Sequence, residues 1–498
     1  MSKRFIILYI VLFLNILLLT YAYFFPEIPL YVNQDEPFIL KFVKFDELLS
    51  TEEIIIPELN DKILDDQFTE NQEDTSKQGN ITFLSESEFL SAQTDKADQR
   101  NYGSSLNVQL PTNLDLNETN KLSNEEINGK RPLDNFFNAL QNERNTKTVR
   151  VVHYGDSQIE GDRVTDIIRA NLQASFGGSG LGFIPFTDKA WHLHLSRGAS
   201  ENWKRYNFYN QRMTNNDDYG ISGNLYRYSG SHASLSFKLF QEVRYKSLYL
   251  FYGKAVDSSS VAIYDKGNKN KMVGRTVLPA SNSPQWIKLN IPDSIRNFKI
   301  DFYSKSAKSP DFYGLWVEGD NKGVQVDNYG IRAHAGDGLS RMDSILLAQQ
   351  IKLLNVKLII VQYGANAAPY INSDAKCKYI EDVYYKVLTR LKGAAPDASI
   401  LVVSVGDMAR RSEGTLKSFP YISKFKEAQK RAANRAGLAF WDFYEVMGGQ
   451  NSLLAWYKQK LAHTDGHLTA KGQKYVANEF AKTVLTEYQR FSLQKSKK

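Results

Sequence analysis

Thr148-Val149-Arg150-Val151-Val152-His153-Tyr154 runs straight into Gly155-Asp156-Ser157, and a helix-like run from Arg163 to Ala174 follows. A serine at a strand-to-helix turn sits at the carboxyl end of a strand, where open α/β sheets place their active sites. The next backbone N–H groups belong to a helix start, are unpaired there, and face any negative charge near the hydroxyl. A serine hydroxyl alone is a weak nucleophile. It needs a base, and the base needs an orienting group. His463-Thr464-Asp465-Gly466-His467-Leu468-Thr469, near the far end of the chain, offers both.

Outward from this turn the pattern alternates. A helix is expected over residues 133–143 from the apolar spacing of Phe136, Phe137 and Leu140. Beyond about residue 324 helices are expected at 340–354, 379–392, 425–436 and 471–488, with strands at 356–362, 399–405 and 438–443. Strands alternating with helices give a parallel sheet covered on both faces. Between residues 191 and 323 the pattern is different. Short alternating segments at 233–240, 247–252, 260–264, 286–291 and 298–303, separated by Gly, Asn, Pro and Asp, argue an all-β module inserted between the first and second strands. Gly177-Gly178-Ser179-Gly180-Leu181-Gly182 is no phosphate loop, because it follows a helix and lacks the lysine-serine ending.

The chain has 498 residues, which points to two or three domains, and its 42% apolar and 12% aromatic content supports real cores. Lys3-Arg4 precedes an apolar run from Phe5 to Phe25 in which Asn15 is the one strongly polar residue. That length spans a bilayer, and the basic residues in front hold the N-terminus inside. A membrane anchor over 1–25 with a periplasmic or extracellular catalytic part is therefore expected. The rival is a signal peptide cleaved after Thr20-Tyr21-Ala22. Residues 26–130 read as a mostly disordered acidic linker, since Asp65 to Lys130 holds too little apolar surface to offset ordering entropy. Asp46 to Lys130 contains 19 acidic and 6 basic residues, a net of −13 against +7 for the whole chain. The rest carries a compensating basic excess, read as a solvated face. No nucleic-acid module is present. The single cysteine, Cys377, excludes an intramolecular disulfide framework and a cysteine zinc cluster.

Further elements can serve Ser157. Gly364-Ala365-Asn366 ends a buried strand and brings an amide to the same sheet edge. Asp327-Asn328-Tyr329-Gly330 through Gly336-Asp337-Gly338 precedes a helix and offers a glycine N–H. Both stretches are also ordinary turn compositions. His192 and His194 resemble a metal pair without an acidic partner, so no metal is expected there. Trp203, Tyr206, Tyr209, Tyr226, Tyr228 and Trp316 are aromatics that can stack on sugar rings or pack a core.

These stretches carry a resemblance. Gly155-Asp156-Ser157 resembles the first block of SGNH/GDSL hydrolases, residues 328–338 the second, Gly364-Ala365-Asn366 the third and Asp465-Gly466-His467-Leu468-Thr469 the last, in the family order. The resemblance implies a flavodoxin-like α/β/α sandwich over 131–190 and 324–490, with the β-rich, carbohydrate-binding-like module of 191–323 inserted. It implies Ser157 as nucleophile, with His467 and Asp465 completing a triad. It implies an oxyanion hole from the Ser157 N–H, Gly336 and the Asn366 amide, with Gly336 preferred over Gly330. Two departures stand out. The family's carboxylate usually lies three residues before the histidine, where this chain has Thr464; Asp465 is only two before, a spacing similar to alginate-type O-acetyltransferases. Ala367 follows Asn366 where the family usually has an acidic residue.

The architecture resembles periplasmic peptidoglycan O-acetylesterases. The implied function is a serine esterase that takes O-acetyl groups from a cell-envelope glycan, with no metal or cofactor. Two alternatives stand beside it. One is an O-acetyltransferase using the same residues, fed by a membrane acyl-transfer partner. The other is a non-catalytic glycan-binding protein on a hydrolase fold. Trp203 and Tyr228 are the expected sugar contacts.

Overall fold

The strand Thr148–Gly155 is buried along all but its first residue. Such a strand needs cover on both faces, and in the computed structural model it has both. The structure describes residues 122–126, 129–188, 190–209, 218–240, 243–305, 308–319, 322–412 and 414–496, and the backbone of 27–30 and 38–41. The anchor expected over 1–25 lies outside the described residues; among the described residues no helix is long and apolar enough to cross a membrane.

The central sheet has six strands: β1 (Leu122–Ser123), β2 (Thr148–Gly155), β3 (Gly323–Gly330), β4 (Val356–Gln362), β5 (Ser399–Val403) and β6 (Ala439–Trp441). Their order is β3-β2-β4-β5-β6-β1. All neighbours are parallel except β6 and β1. The five parallel strands thus reverse direction of growth between β2 and β4, the switch point at which such sheets open a crevice. Register makes this exact at the edge that matters: Gly155 stands opposite both Gly330 and Gln362. The loops that leave these three residues therefore start level with one another.

Period-two alternation divides β2 between two cores. Val149 and Val151 join a cluster with Phe136, Phe137, Leu172, Phe480 and Val484, drawn from helices 134–142, 163–176 and 470–496. Helices 344–353, 374–394 and 422–436 pack on one another and on the opposite face. His153 shares the first face. It is fully buried between Thr165 Oγ1 and Gln362 Oε1, at 3.0 Å each, and burial pulls its pKa down to about 4.

The strands between β2 and β3 form two antiparallel sheets. One holds Lys271–Leu278, Ser259–Asp265, Asn297–Ser304, His232–Leu239 and Leu195–Ala199; the other centres on Ser247–Gly253 and Asp311–Glu318. In His232–Leu239 alternate residues, Ala233, Leu235, Phe237 and Leu239, enter the sandwich core. Arg150 fastens this insertion to the central sheet. Its guanidinium donates to Glu318 of the insertion at 3.0 Å and to Asp327 of β3 at 2.9 Å, all three buried.

Two features differ from the sequence reading. The central sheet recruits Leu122–Ser123, before residue 131, and Asn124 Oδ1 accepts the Leu133 N–H at 3.0 Å. Glu27–Leu30 and Phe38–Lys41, in the segment read as linker, pair as an antiparallel hairpin within a separate compact unit. Neither has a clear sequence signal: one is two residues long, and the other consists of two four-residue strands, the first interrupted by Pro29.

Candidate active site

Gly155 ends β2 because nothing larger fits. A Cβ there would stand 2.8 Å from Ile159 and 3.0 Å from the Gln362 carbonyl. The turn that follows exposes Ser157 partly, while Asp156 and Gln158 on either side are buried. Arg163, from the next helix, holds this turn. It donates from Nε to the Glu160 carbonyl at 2.7 Å and from Nη2 to the Ser157 carbonyl at 3.0 Å.

Ser157 Oγ lies 2.9 Å from His467 Nε2, and His467 Nδ1 lies 2.9 Å from Asp465 Oδ2. With the ring proton on Nδ1, facing the carboxylate, Nε2 is left to accept the Ser157 hydroxyl proton. Asp465 Oδ1 also accepts the His467 backbone N–H at 2.9 Å. A two-residue spacing thus lets one carboxylate grip both the ring and the backbone of the same histidine. Burial raises the Asp465 pKa, but the His467 bonds and charge outweigh it and pull the value down to about 2. His463 is exposed at the start of this loop and serves it through its backbone, accepting from Gly466 N–H at 3.1 Å and donating to the His467 carbonyl at 2.8 Å.

Gln158 locks the two ends of the chain together. Its Nε2 donates to the Gly466 carbonyl at 2.9 Å and its Oε1 accepts the Leu468 N–H at 3.3 Å. Sequence reasoning passed over Gln158 and Arg163; their closeness to Ser157 in the chain was the available signal. Behind the turn, Asp156, Gln158, Ala365, Met408, Phe443 and Gly466 line a cavity of about 20 Å3, room for roughly one water.

The expected oxyanion donors are placed as follows. Asn366 reaches the site, but its Nδ2 donates to Asp156 Oδ2 at 3.1 Å and to the His334 carbonyl at 3.2 Å, which uses both amide hydrogens. The Gly336 N–H points at His334 Nδ1, 3.2 Å away, and so is not presented to Ser157. Gly336 has a packing reason instead: at φ +101°, a Cβ would press to 3.0 Å against the Tyr363 ring. Burial is the main force on Asp156 and raises its pKa to about 6, against the lowering bonds from Gln158 N–H and Asn366.

The sugar-stacking expectation for Trp203 and Tyr228 is corrected. Trp203 packs edge-on against Phe186, Tyr228, Phe302 and Phe312, and Tyr228 is buried against Phe312. Tyr228 and the buried Tyr226 are sandwich core with Trp203 packed half-buried against it, whereas Trp316 is buried on the opposite face of its strand, its Nε1 donating to Asp327 at 2.8 Å. His194 has the acidic partner that the sequence did not reveal: its Nε2 is 2.8 Å from Asp166 Oδ1. Asp162, Asp166 and His194 lie close enough to hold a cation. Arg169 already fills that role, donating to both oxygens of Asp162 at 2.7 Å.

A hydroxyl, an imidazole and a carboxylate bonded in this order, at the switch point of a parallel sheet, are the equipment of a serine hydrolase. The model of the GDSL-like lipase/acylhydrolase family matches residues 305–475. That span contains Asn366, Asp465 and His467; Ser157, on the other side of the inserted strands, lies before it. A solved structure titled as a peptidoglycan O-acetylesterase in action is 20% identical, with a TM-score of 0.59, over 74% of this chain and 99% of that one. An acetyl xylan esterase structure is 14% identical over 32% of this chain and 79% of its own, with a TM-score of 0.25. A family two carbohydrate esterase from Cellvibrio japonicus is 11% identical over 59% of this chain and 99% of its own, with a TM-score of 0.23. No curated protein matches the chain. Over residues 305–475 the chain is similar to GDSL-like lipases and acylhydrolases, and the site has the chemistry of a serine esterase.

Proposed function

We propose that this esterase removes O-acetyl groups from a cell-envelope glycan of the peptidoglycan kind, through an acyl-enzyme on Ser157. The observation that carries the reading is the unbroken relay from Ser157 Oγ through His467 to Asp465, each link 2.9 Å. His467 Nε2 takes the Ser157 proton as Oγ bonds to the acetyl carbon, and the carbonyl electron pair moves onto oxygen. Collapse of that oxyanion breaks the bond to the sugar oxygen, which leaves with the proton held by His467. Water then repeats the cycle: His467 takes its proton, the hydroxide oxygen bonds to carbon, and acetate leaves as Ser157 regains its hydrogen. Asp465 holds the imidazolium in place throughout.

Two observations support a glycan as the substrate. The likeness to the peptidoglycan O-acetylesterase structure covers more of the chain than the α/β segments alone, so it takes in the inserted sandwich. The apolar stretch Phe5–Phe25 and the polar residues behind it suit a catalytic part tethered outside the cytoplasm. Acetate release from O-acetylated peptidoglycan, measured with and without a free glycan acceptor, tests the reading. Release that is independent of acceptor and lost in Ser157→Ala is expected. Acetyl transfer that requires the acceptor would replace hydrolysis by O-acetyl transfer, and release that survives Ser157→Ala would remove the proposed nucleophile.

A further inference from the structure

The strands Ala409–Ser412 and Thr415–Ser418 form a two-stranded hairpin beside the catalytic histidine loop. Its root is fixed. Ser418 Oγ donates to Asp407 at 2.6 Å and accepts the Asn451 N–H at 2.7 Å, and the Phe419 N–H donates to the Met408 carbonyl at 2.9 Å. Met408 lies against Gly466, where a Cβ would stand 2.5 Å from its sulfur, and Gly466 precedes His467. The helix Ser452–Lys458 packs on the second strand, and just beyond it the Lys460 carbonyl accepts the Thr469 hydroxyl at 2.7 Å. Hairpin and helix end therefore meet the same loop, residues 463–469, from which His467 reaches Ser157.

Both pieces are basic. Residues 408–420 and 451–464 carry Arg410, Arg411, Lys417, Lys458 and Lys460 against one acidic residue, Glu413. All five cations are exposed, and among the described residues no carboxylate pairs with Arg410, Arg411, Lys458 or Lys460. Register sets two of the cations side by side: Arg410 stands directly opposite Lys417, and Arg411 opposite Leu416. Leu416 and Ser418 are buried, so period-two alternation turns the face of Arg410 and Lys417 to solvent. Residues so opposed have Cβ atoms about 5 Å apart, and like charges there are destabilising. A carboxylate between the two relieves that repulsion and gains charge-assisted bonds from both.

We propose that this basic rim docks carboxylates of the glycan chain, which makes the substrate an acidic polymer and not a neutral polysaccharide. The proposal rests on the glycan esterase reading above and narrows its substrate class. Arg410 and Lys417 take a carboxylate on the outward face of the hairpin, and Lys458 and Lys460 extend the positive field along the same loop. Cations along one side of a site raise the local concentration of an anionic substrate and its rate of encounter, an effect that salt screens. The rim takes no part in bond breaking, so a small neutral ester does not feel it.

The test uses soluble O-acetylated peptidoglycan fragments whose carboxylates are either free or coupled to methylamine, which removes the charge and leaves the acetyl ester. At low ionic strength kcat/KM for the free form should exceed that for the amidated form by about tenfold, and about 0.5 M NaCl should abolish the difference. Arg410→Gln/Lys417→Gln should lose the preference and keep its activity on 4-nitrophenyl acetate. If the double variant loses that activity through misfolding, Arg410→Glu decides, and it should favour the amidated form. Equal rates on the two forms with the wild-type enzyme, or a preference for the free form that the folded variant retains, overturns the proposal. Acetate from neither form would overturn the glycan reading instead. Docking is then read with Ser157→Ala, which should sediment with peptidoglycan sacculi and not with amidated sacculi. Equal retention on both is contrary, as is stronger binding to vesicles of phosphatidylcholine and phosphatidylglycerol in equal parts than to sacculi.

Discussion

Asp465→Asn puts the two-residue spacing to the test. Asp465 makes two contacts with His467, Oδ2 to Nδ1 and Oδ1 to the backbone N–H, at 2.9 Å each. An asparagine keeps an oxygen for the backbone N–H, so the loop is expected to stay where it is. It turns an NH2 toward Nδ1, which drives the ring proton onto Nε2, and that nitrogen then cannot accept from Ser157. Loss of such a carboxylate typically costs about 10⁴ in kcat. The ring and carboxylate here are 33% and 35% exposed. Water makes up part of the missing stabilisation, so a fall of about 10²–10³, or roughly 3–4 kcal/mol of barrier, is expected. Steady-state hydrolysis of 4-nitrophenyl acetate reads it, with KM and thermal midpoint close to wild type. Thr464→Ala is the companion and should stay within about threefold of wild type. An Asp465→Asn enzyme of near-normal kcat, or a larger loss at Thr464, would refute the pairing.

Three further outcomes follow from other contacts. Gln158→Ala leaves the Gly466 carbonyl and Leu468 N–H without their partner; at about 1–3 kcal/mol for each buried orphan, a lower thermal midpoint and a lower kcat should appear together, and an unchanged midpoint would mean the clamp is idle. Asp156→Asn probes the raised carboxyl. A folded pKa of about 6 against an ordinary 3.8 means the folded state holds the proton more tightly, so wild-type stability falls as pH rises from about 4 to 6, by roughly 3 kcal/mol. The thermal midpoint of the variant minus that of wild type should therefore be greater at pH 8 than at pH 4; an equal difference at the two pH values would show that Asp156 titrates normally. Arg150→Met strands the buried carboxylates of Glu318 and Asp327 and should cost about 3–5 kcal/mol in denaturant unfolding; a stability equal to wild type would show that the insertion is fastened by other means.

The catalytic ends of the chain were legible because their signals are local. A run of β-branched residues ending in Gly155 marks a buried strand, and the register then carries Ser157, the 331–338 loop and Asn366 to one edge. Asp465 and His467 were legible as a pair because two positions suffice for one carboxylate to hold ring and backbone. What stayed hidden depends on partners far away in the chain. Nothing near Gln158 shows that it will meet Gly466, and nothing near Gly336 shows that His334 will take its N–H. Trp203 and Tyr228 misled because a sandwich strand alternates between core and surface, and an aromatic suits either face. The pairing of Leu122–Ser123 with β6 could not be read from two residues.

Every proposed step passes through Ser157 as the residue that forms the covalent intermediate. The direct measurement is labelling of the whole protein with a fluorophosphonate, followed by peptide mapping. One modified peptide, containing Gly155-Asp156-Ser157, is expected, with no labelling in Ser157→Ala. A label on any other residue, or equal labelling of Ser157→Ala, would contradict that role.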